Sequence, residues 1–133
     1  PAIPPIMADH NRLEQVFINL VTNAVDAMDE KQGRPEYGNS EKLLKIKSFA
    51  ENGVVSVTVS DNGIGMSNEV IGKLFEPFFT TKEEGTGLGL SIANRVVQEH
   101  GGRLDIQSKE GSGSTFIITL PMEESDREHH TDH

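Results

Sequence analysis

Apolar and polar positions follow two different periods along the chain. Between residues 10 and 29, apolar side chains recur at intervals of three and four, which is the spacing of an α-helix with one buried face. The residues that share this face are Leu13, Val16, Phe17, Leu20, Val21, Ala24 and Met28. The pattern predicts a first helix over residues 10–29, capped by Asp9 and preceded by an extended, proline-containing lead-in over residues 1–5.

The middle of the chain has the period of a β-hairpin. Residues 43–50 and 54–60 are strand-like, and Asn52-Gly53 between them favours a tight turn. Alternation in the second strand puts Val55, Val57 and Val59 on one face. Residues 30–42 carry breakers and charges without a period, so we expect a loop there.

The second half repeats the two signals. Ser67 is expected to cap a short helix that ends near Lys73, and residues 75–87, without a regular period, are interpreted as a lid. Residues 88–100 have helical spacing, and Gly101-Gly102 follows as a helix end. Residues 103–108 and 114–120 predict a second hairpin whose inward side chains are Phe116, Ile118 and Leu120.

Helices with one buried stripe and hairpins with one buried face pack most simply as two layers. We therefore predict an α+β fold, a two-layer α/β sandwich with helices on one face of a mixed, mainly antiparallel sheet. We expect residues 1–121 to form one domain and residues 122–133 to form a polar, disordered tail. His129, His130 and His133 in that tail could bind a metal, but a plain tail or an expression remnant is the simpler interpretation.

Charge and composition narrow the classes of partner. A formal net charge of −9 argues against a nucleic-acid surface, because phosphate backbones are bound by clustered Lys and Arg. The absence of cysteine excludes disulfides and thiolate metal sites. Since no apolar run approaches the roughly 20 residues that cross a bilayer, no direct membrane contact is expected from this piece. A cytoplasmic location is expected, whether or not the parent protein is anchored in a membrane.

Four segments carry candidate chemistry. On the first helix, Gln15, Asn19, Asn23 and Asp26 form a polar stripe whose amide oxygens suit Mg²⁺, although a solvated helix face gives the same pattern. Residues 61–66, Asp-Asn-Gly-Ile-Gly-Met, end a strand with a carboxylate that could accept the amino group of adenine; an Asx turn is the alternative.

The other two segments are rich in glycine. Residues 85–91 lead into a helix, where backbone N–H groups receive phosphate, although a glycine-rich hinge is the alternative. Residues 111–115 precede the last strand, and a hairpin turn explains them without a ligand.

Taken in order, and together with residues 74–82, Leu-Phe-Glu-Pro-Phe-Phe-Thr-Thr-Lys, these four segments resemble the N, G1, F, G2 and G3 boxes of sensor histidine kinases. The boxes correspond to residues 19–26, 61–65, 74–82, 85–91 and 111–116, and the resemblance covers residues 8–121. It implies the Bergerat ATP-binding fold of the GHKL superfamily, with ATP and Mg²⁺ as cofactors. The sequence Phe-Phe-Thr-Thr-Lys at residues 78–82 resembles the short-lid, nitrogen-regulatory type.

The resemblance implies a role for each matching residue. Asn23 would be the Mg²⁺ ligand, Asn19 would support the metal and phosphates, and Lys82 would contact the γ-phosphate, so these three are the expected catalytic residues. Asp61 would bind adenine, helped by Ser114 or Thr115, while Phe75, Phe78 and Phe79 would anchor the lid. The residues expected to bind the nucleotide are Asn19, Asn23, Asp26, Asp61, Gly63, Gly65, Met66, Phe75, Lys82, Gly85, Thr86, Gly87, Leu88, Gly89, Leu90, Ser114 and Thr115.

The chain departs from the family pattern in two ways. Asp26 stands where many members have Lys or Arg, which shifts the expected neutralisation of phosphate charge to Lys82. No histidine has a phosphoacceptor setting, because His10 is expected before the first helix and His100 at the end of another.

The resemblance therefore implies transfer of the γ-phosphate from ATP to a histidine on a separate dimerisation and histidine-phosphotransfer domain of the same parent protein. A response regulator receiver domain would follow as a partner. The hydrolytic relatives have a general-base Glu where this chain has Asn19, so rapid ATP hydrolysis is not expected. A GHKL-type ATPase or serine kinase and a non-catalytic ATP-binding regulatory module remain the alternatives.

Overall fold

The computed structural model describes residues 3–38, 41–76 and 89–121, with the backbone alone for residues 3–10. Helix α1 spans Ile3–Gln32, helix α2 spans Asn68–Lys73 and helix α3 spans Gly89–Glu99. The strands are β1 Leu44–Glu51, β2 Val54–Asp61, β3 Arg103–Lys109 and β4 Gly113–Pro121, and a short 3-10 helix covers Pro35–Tyr37.

The first helix is longer than its sequence pattern predicted. It begins at Ile3, so residues 3–5 are helical rather than an extended lead-in, and Asp9 lies inside the helix rather than at its N-cap. The prediction was wrong because Pro4 and Pro5 fall in the first turn, where a backbone N–H has no helical partner and its absence costs nothing.

The described strands form one sheet in the order β1-β2-β4-β3, and every neighbouring pair is antiparallel. The parallel pairing that a mixed sheet would contain is not found among the described strands. Asn52 and Gly53 connect β1 to β2 with φ angles of 54° and 80°, which confirms the predicted tight turn.

The core lies between this sheet and the two longer helices. Val16 and Leu20 of α1 and Val97 of α3 are buried together with strand side chains of the sheet. The buried strand residues are Val59, Leu104, Phe116 and Ile118. The predicted α+β sandwich with helices on one face is therefore confirmed.

The short elements follow local rules. Ser67 caps α2, with its side chain accepting a hydrogen bond from Val70 N at 3.2 Å, as predicted. Gly101, with φ of 76°, follows the end of α3. Residues 77–87, which are most of the predicted lid, lie outside the described residues. Within the described ranges, no helix has an apolar stretch of the length that a bilayer crossing requires.

Candidate functional site

Asp61 lies at the end of β2, opposite Ser114 at the start of β4. Its carboxylate accepts a hydrogen bond from the N–H of Gly63 at 2.8 Å and another from the N–H of Ser114. Burial raises the pKa of Asp61 above its ordinary value of 3.8, while these two N–H groups and the Lys31 ammonium act in the opposite direction. The chain thus fixes a partly desolvated carboxylate by means of backbone groups.

The loop over residues 61–66 is pressed between two other parts of the chain. A Cβ atom at Gly63 would lie 2.6 Å from the carbonyl carbon of Ala27 in α1, and Ile64 N donates to Ala27 O at 3.0 Å. On the other side, Gly65 has φ of 71°, and a Cβ atom there would overlap the carbonyl oxygen of Lys109. Both glycines are therefore required by packing, and the role of Gly65 in admitting a base stays a prediction.

Two pairs of hydroxyl groups connect neighbouring strands next to this loop. Ser108 Oγ is 2.7 Å from Ser114 Oγ and accepts a hydrogen bond from Met66 N at 2.8 Å. Thr115 Oγ1 is 2.9 Å from Ser60 Oγ. Of the two residues expected to hold Asp61, Ser114 contacts it through its backbone N–H. Ser108 was missed, because a strand serine carries no local signal of a contact with a distant loop.

The polar stripe of α1 begins beside the start of α3 and continues along the helix towards the 61–66 loop. Asn19 Nδ2 donates to the carbonyl oxygen of Gly89 at 3.2 Å, and Asn19 Oδ1 accepts from Gln15 Nε2 at 3.0 Å. Asn23, one turn further along, is half-buried, and so is Asp26. Since Ala27 contacts the 61–66 loop, one helix touches both regions that the sequence assigned to the nucleotide.

The donor set of this region fits Mg²⁺ better than a cation that needs a protein cage. Among the described residues, no three His, Cys, Asp or Glu side chains come together as a metal site. Asn23 offers one neutral oxygen on α1. Mg²⁺ accepts such a sparse site, because it keeps several waters and takes further oxygens from phosphates.

The remaining expected site residues divide into two groups. Phe75 and Leu90 are partly buried and pack against the hydrophobic core, as does Met66. The others lie outside the described residues: Lys82, Gly85, Thr86, Gly87 and Leu88, with Phe78 and Phe79 of the predicted lid. Their contacts with a nucleotide stay predictions.

Lys31, which acts electrostatically on Asp61, and Tyr37, which lies beside Lys31, were not anticipated. Lys31 Nζ donates to the carbonyl oxygen of Asn62 at 3.2 Å and lies 5.7 Å from the centroid of the Tyr37 ring. Both side chains are half-buried. The stretch around them has a loop-like composition, so no periodic signal pointed to a structural or functional role.

Comparison with known proteins is consistent with this geometry. Residues 8–124 match the family described as histidine kinase-, DNA gyrase B- and HSP90-like ATPase. Sporulation kinase E of Bacillus subtilis is 41% identical over 130 residues, which are 98% of this chain and 16% of that protein. Sensor histidine kinase ZraS of Escherichia coli is 38% identical over 120 residues, 90% of this chain and 24% of that protein. The chain therefore spans between a sixth and a quarter of the length of these relatives.

Solved structures show the same architecture. The nucleotide-free catalytic domain of histidine kinase ThkA aligns with a TM-score of 0.67 at 38% identity, covering 84% of this chain and 66% of that one. Full-length ShkA in complex with AMPPNP aligns with a TM-score of 0.68 at 28% identity, covering 83% of this chain and 21% of that one. The chain belongs to the histidine kinase-, DNA gyrase B- and HSP90-like ATPase family, within which it corresponds to the ATP-binding catalytic domain of sensor histidine kinases.

Proposed function

We propose that this chain binds Mg-ATP and presents the γ-phosphate to a histidine on a separate dimerisation and phosphotransfer domain of its parent protein. The observation that carries the proposal is the position of α1. Through Asn19 the helix contacts the start of α3, and through Ala27 it contacts the loop that holds Asp61. One element therefore connects the expected phosphate end of the site with the expected base end.

Asp61 would recognise the base. The carboxylate is held by the N–H groups of Gly63 and Ser114, and it retains lone pairs for a further donor. Adenine offers an exocyclic amino group, whereas guanine presents an oxygen at the corresponding position, which a carboxylate repels. Selectivity for adenine over guanine follows from this single acceptor.

The start of α3 would receive the phosphates. Gly89 is the first residue of an 11-residue helix, and the N–H groups and dipole of a helix N-terminus favour anions. Asn23 would contribute the protein oxygen to Mg²⁺, which neutralises phosphate charge when bound. We assign the γ-phosphate contact to Lys82, because Asp26 gives the neighbouring helix turn no positive charge.

The nucleophilic histidine would come from another domain. His10 lies inside α1, not before it as expected, and His100 follows α3 with its Nδ1 2.7 Å from Val96 O. The contact with Val96 ties the His100 ring to the end of its own helix, which is a structural role. Asn19 cannot accept a proton from water as a general-base Glu would, so hydrolysis should be slow. These features favour transfer to another domain, in the cytoplasm, and from there to a response regulator receiver domain.

The test uses ATP labelled at its γ-phosphate, with this chain and with the acceptor-helix domain of its parent protein. We expect label on the acceptor domain, stable to base and labile to acid, and none when the acceptor histidine is replaced. Free phosphate without a labelled acceptor would instead indicate an ATPase. Binding without either product would indicate a non-catalytic regulatory module.

A further inference from the structure

We propose that Lys31 and Tyr37 are positioning residues that hold the 61–66 loop against the β3–β4 turn, residues 110–112, and so fix the geometry of the adenine-binding end. The inference rests on the function proposed above and adds two residues to its base end. Neither residue belongs to a segment that the sequence motifs covered. Both come from the stretch between the last turn of α1 and β1.

Lys31 acts on the 61–66 loop directly. It lies in the last turn of α1, and its half-buried ammonium donates to Asn62 O at 3.2 Å. The side chain of Asn62 is engaged separately, accepting from Leu43 N at 2.9 Å and donating to Glu41 O at 2.7 Å. Asn62 is thus held from both sides, by α1 and by the segment that leads into β1.

Tyr37 joins Lys31 to the β3–β4 turn. The Lys31 ammonium lies 5.7 Å from the ring centroid, within the range of a cation–π interaction. The same ring lies against Gly111, where a Cβ atom would be 3.0 Å from Tyr37 Cε1. Gly111 N donates to Ile64 O, so the turn that touches the ring is hydrogen-bonded to the 61–66 loop.

These contacts link the residues around the base end into a continuous ring. It runs from Lys31 to Asn62, through the loop to Ile64, across to Gly111 and back through Tyr37. The pKa of Asp61 is raised by burial of the carboxyl group and lowered by the N–H groups of Gly63 and Ser114 and by the Lys31 ammonium. Lys31 is the charged residue among these influences. Its loss should therefore change both the shape of the base end and the ionisation of the Asp61 carboxylate.

The experiment measures Mg-ATP affinity by calorimetry between pH 5 and pH 8 on the full chain. Lys31→Met should bind about tenfold more weakly at neutral pH. Its affinity should also fall at a higher pH than in the wild type, because removal of the ammonium raises the pKa of Asp61 and the protonated acid is a weaker acceptor for the amino group than the carboxylate. Lys31→Arg should restore both properties. The titration of the ligand itself is common to all variants.

Matched variants separate this role from general effects. Lys47→Met removes an exposed lysine from β1 and should leave the affinity for Mg-ATP unchanged. Tyr37→Phe keeps the ring and should bind like the wild type, whereas Tyr37→Ala should bind several-fold more weakly. Thermal unfolding accompanies each measurement. If Lys31→Met does not fold, the affinities of the two Tyr37 variants test the positioning role, and equal affinity in Tyr37→Ala and the wild type would overturn it.

The outcomes distinguish two failures. If the wild-type chain does not bind Mg-ATP, the proposed function fails and this inference fails with it. If the wild type binds and Lys31→Met matches it in affinity and pH dependence, only this inference is overturned. Weaker binding at unchanged pH dependence that Lys31→Arg does not restore would indicate lost packing alone, and would also overturn it.

Discussion

The two ends of the candidate site are built in different ways. At the base end, backbone N–H groups hold Asp61, and Gly63 lies so close to α1 that no side chain fits. At the phosphate end, the half-buried Asn19 amide of α1 donates to Gly89 O at the start of α3, at 3.2 Å. At the opposite end of α3, the two helices are joined by the Arg12–Glu99 ion pair, in which both side chains are 46% exposed.

The shape of the base end is therefore fixed by the backbone, whereas the shape of the phosphate end depends on side chains that can be replaced. Backbone contacts at the base end continue the sheet and its turns, so they form whenever the domain folds. The Asn19–Gly89 contact at the phosphate end and the Arg12–Glu99 pair further along the two helices each depend on a side chain that solvent reaches, and such contacts contribute little. We expect changes at the base end to affect nucleotide binding or folding strongly, and changes at the phosphate end to affect transfer while leaving the fold intact.

The largest effect is expected from Asp61→Ala, which removes the acceptor for the adenine amino group. ATP affinity should fall at least about 100-fold, since a buried polar partner would be left unsatisfied. Calorimetry with Mg-ATP measures it, and Asp105→Ala on β3 is the control that should bind normally. Unchanged affinity in Asp61→Ala would remove Asp61 from the site.

Gly65→Ala tests whether the base end is fixed by packing. The new methyl group would overlap Lys109 O at a backbone φ of 71°, so the free energy of unfolding should fall by about 2–4 kcal/mol. Gly72→Ala is the matched control, because Gly72 lies in α2 with open space around it, and there alanine should be neutral or stabilising by up to about 1 kcal/mol. Equal urea midpoints for the two variants would contradict the close packing.

Asn23→Ala tests the phosphate end. Loss of the amide oxygen should weaken Mg²⁺-dependent ATP binding or slow transfer by about tenfold, without lowering the melting temperature by more than a few degrees. Thr22→Ala, an exposed neighbour on the same helix, should behave like the wild type. An Asn23→Ala chain that binds and transfers at the wild-type rate would exclude this residue as the metal ligand.

The smallest effect is expected at the Arg12–Glu99 pair. Because both side chains are partly exposed, their coupling free energy in a double-mutant cycle should be below about 1 kcal/mol and should decrease with salt. Urea unfolding of Arg12→Ala, Glu99→Ala and the double variant measures it. A coupling of several kcal/mol would show that the two helices are joined more firmly than their exposure indicates.

The fold was predictable where the signal is local. The buried stripe of α1, the Asn52-Gly53 turn and the Ser67 cap each depend on residues a few positions apart, and the structure confirms them. The start of α1 was missed because Pro4 and Pro5 are compatible with a first helical turn as well as with an extended segment.

The site was predictable only as far as its motifs reach. The segments of Asp61 and Asn19 could be singled out from local patterns, and their contacts with a nucleotide stay predictions. By contrast, Lys31, Tyr37 and Ser108 act across 31, 74 and 42 positions of sequence, in the contacts Lys31–Asn62, Tyr37–Gly111 and Ser108–Met66. Such pairs arise from tertiary packing, which periodicity does not encode. Asn19 also has a role that its motif did not suggest, since its amide group joins α1 to α3.

The hydrogen bond between Ile64 N and Ala27 O, at 3.0 Å, has a mechanical consequence. Asn19 and Ala27 are eight residues apart on one continuous helix, a separation of about 12 Å along its axis. Because a helix of this length is stiff over two turns, a tilt or axial shift of α1 that follows engagement at one site would be transmitted to the other. Occupancy by a cation near Asn23 and recognition of the purine at Asp61 would then be thermodynamically linked through rigid-body displacement, without any rearrangement of the sheet.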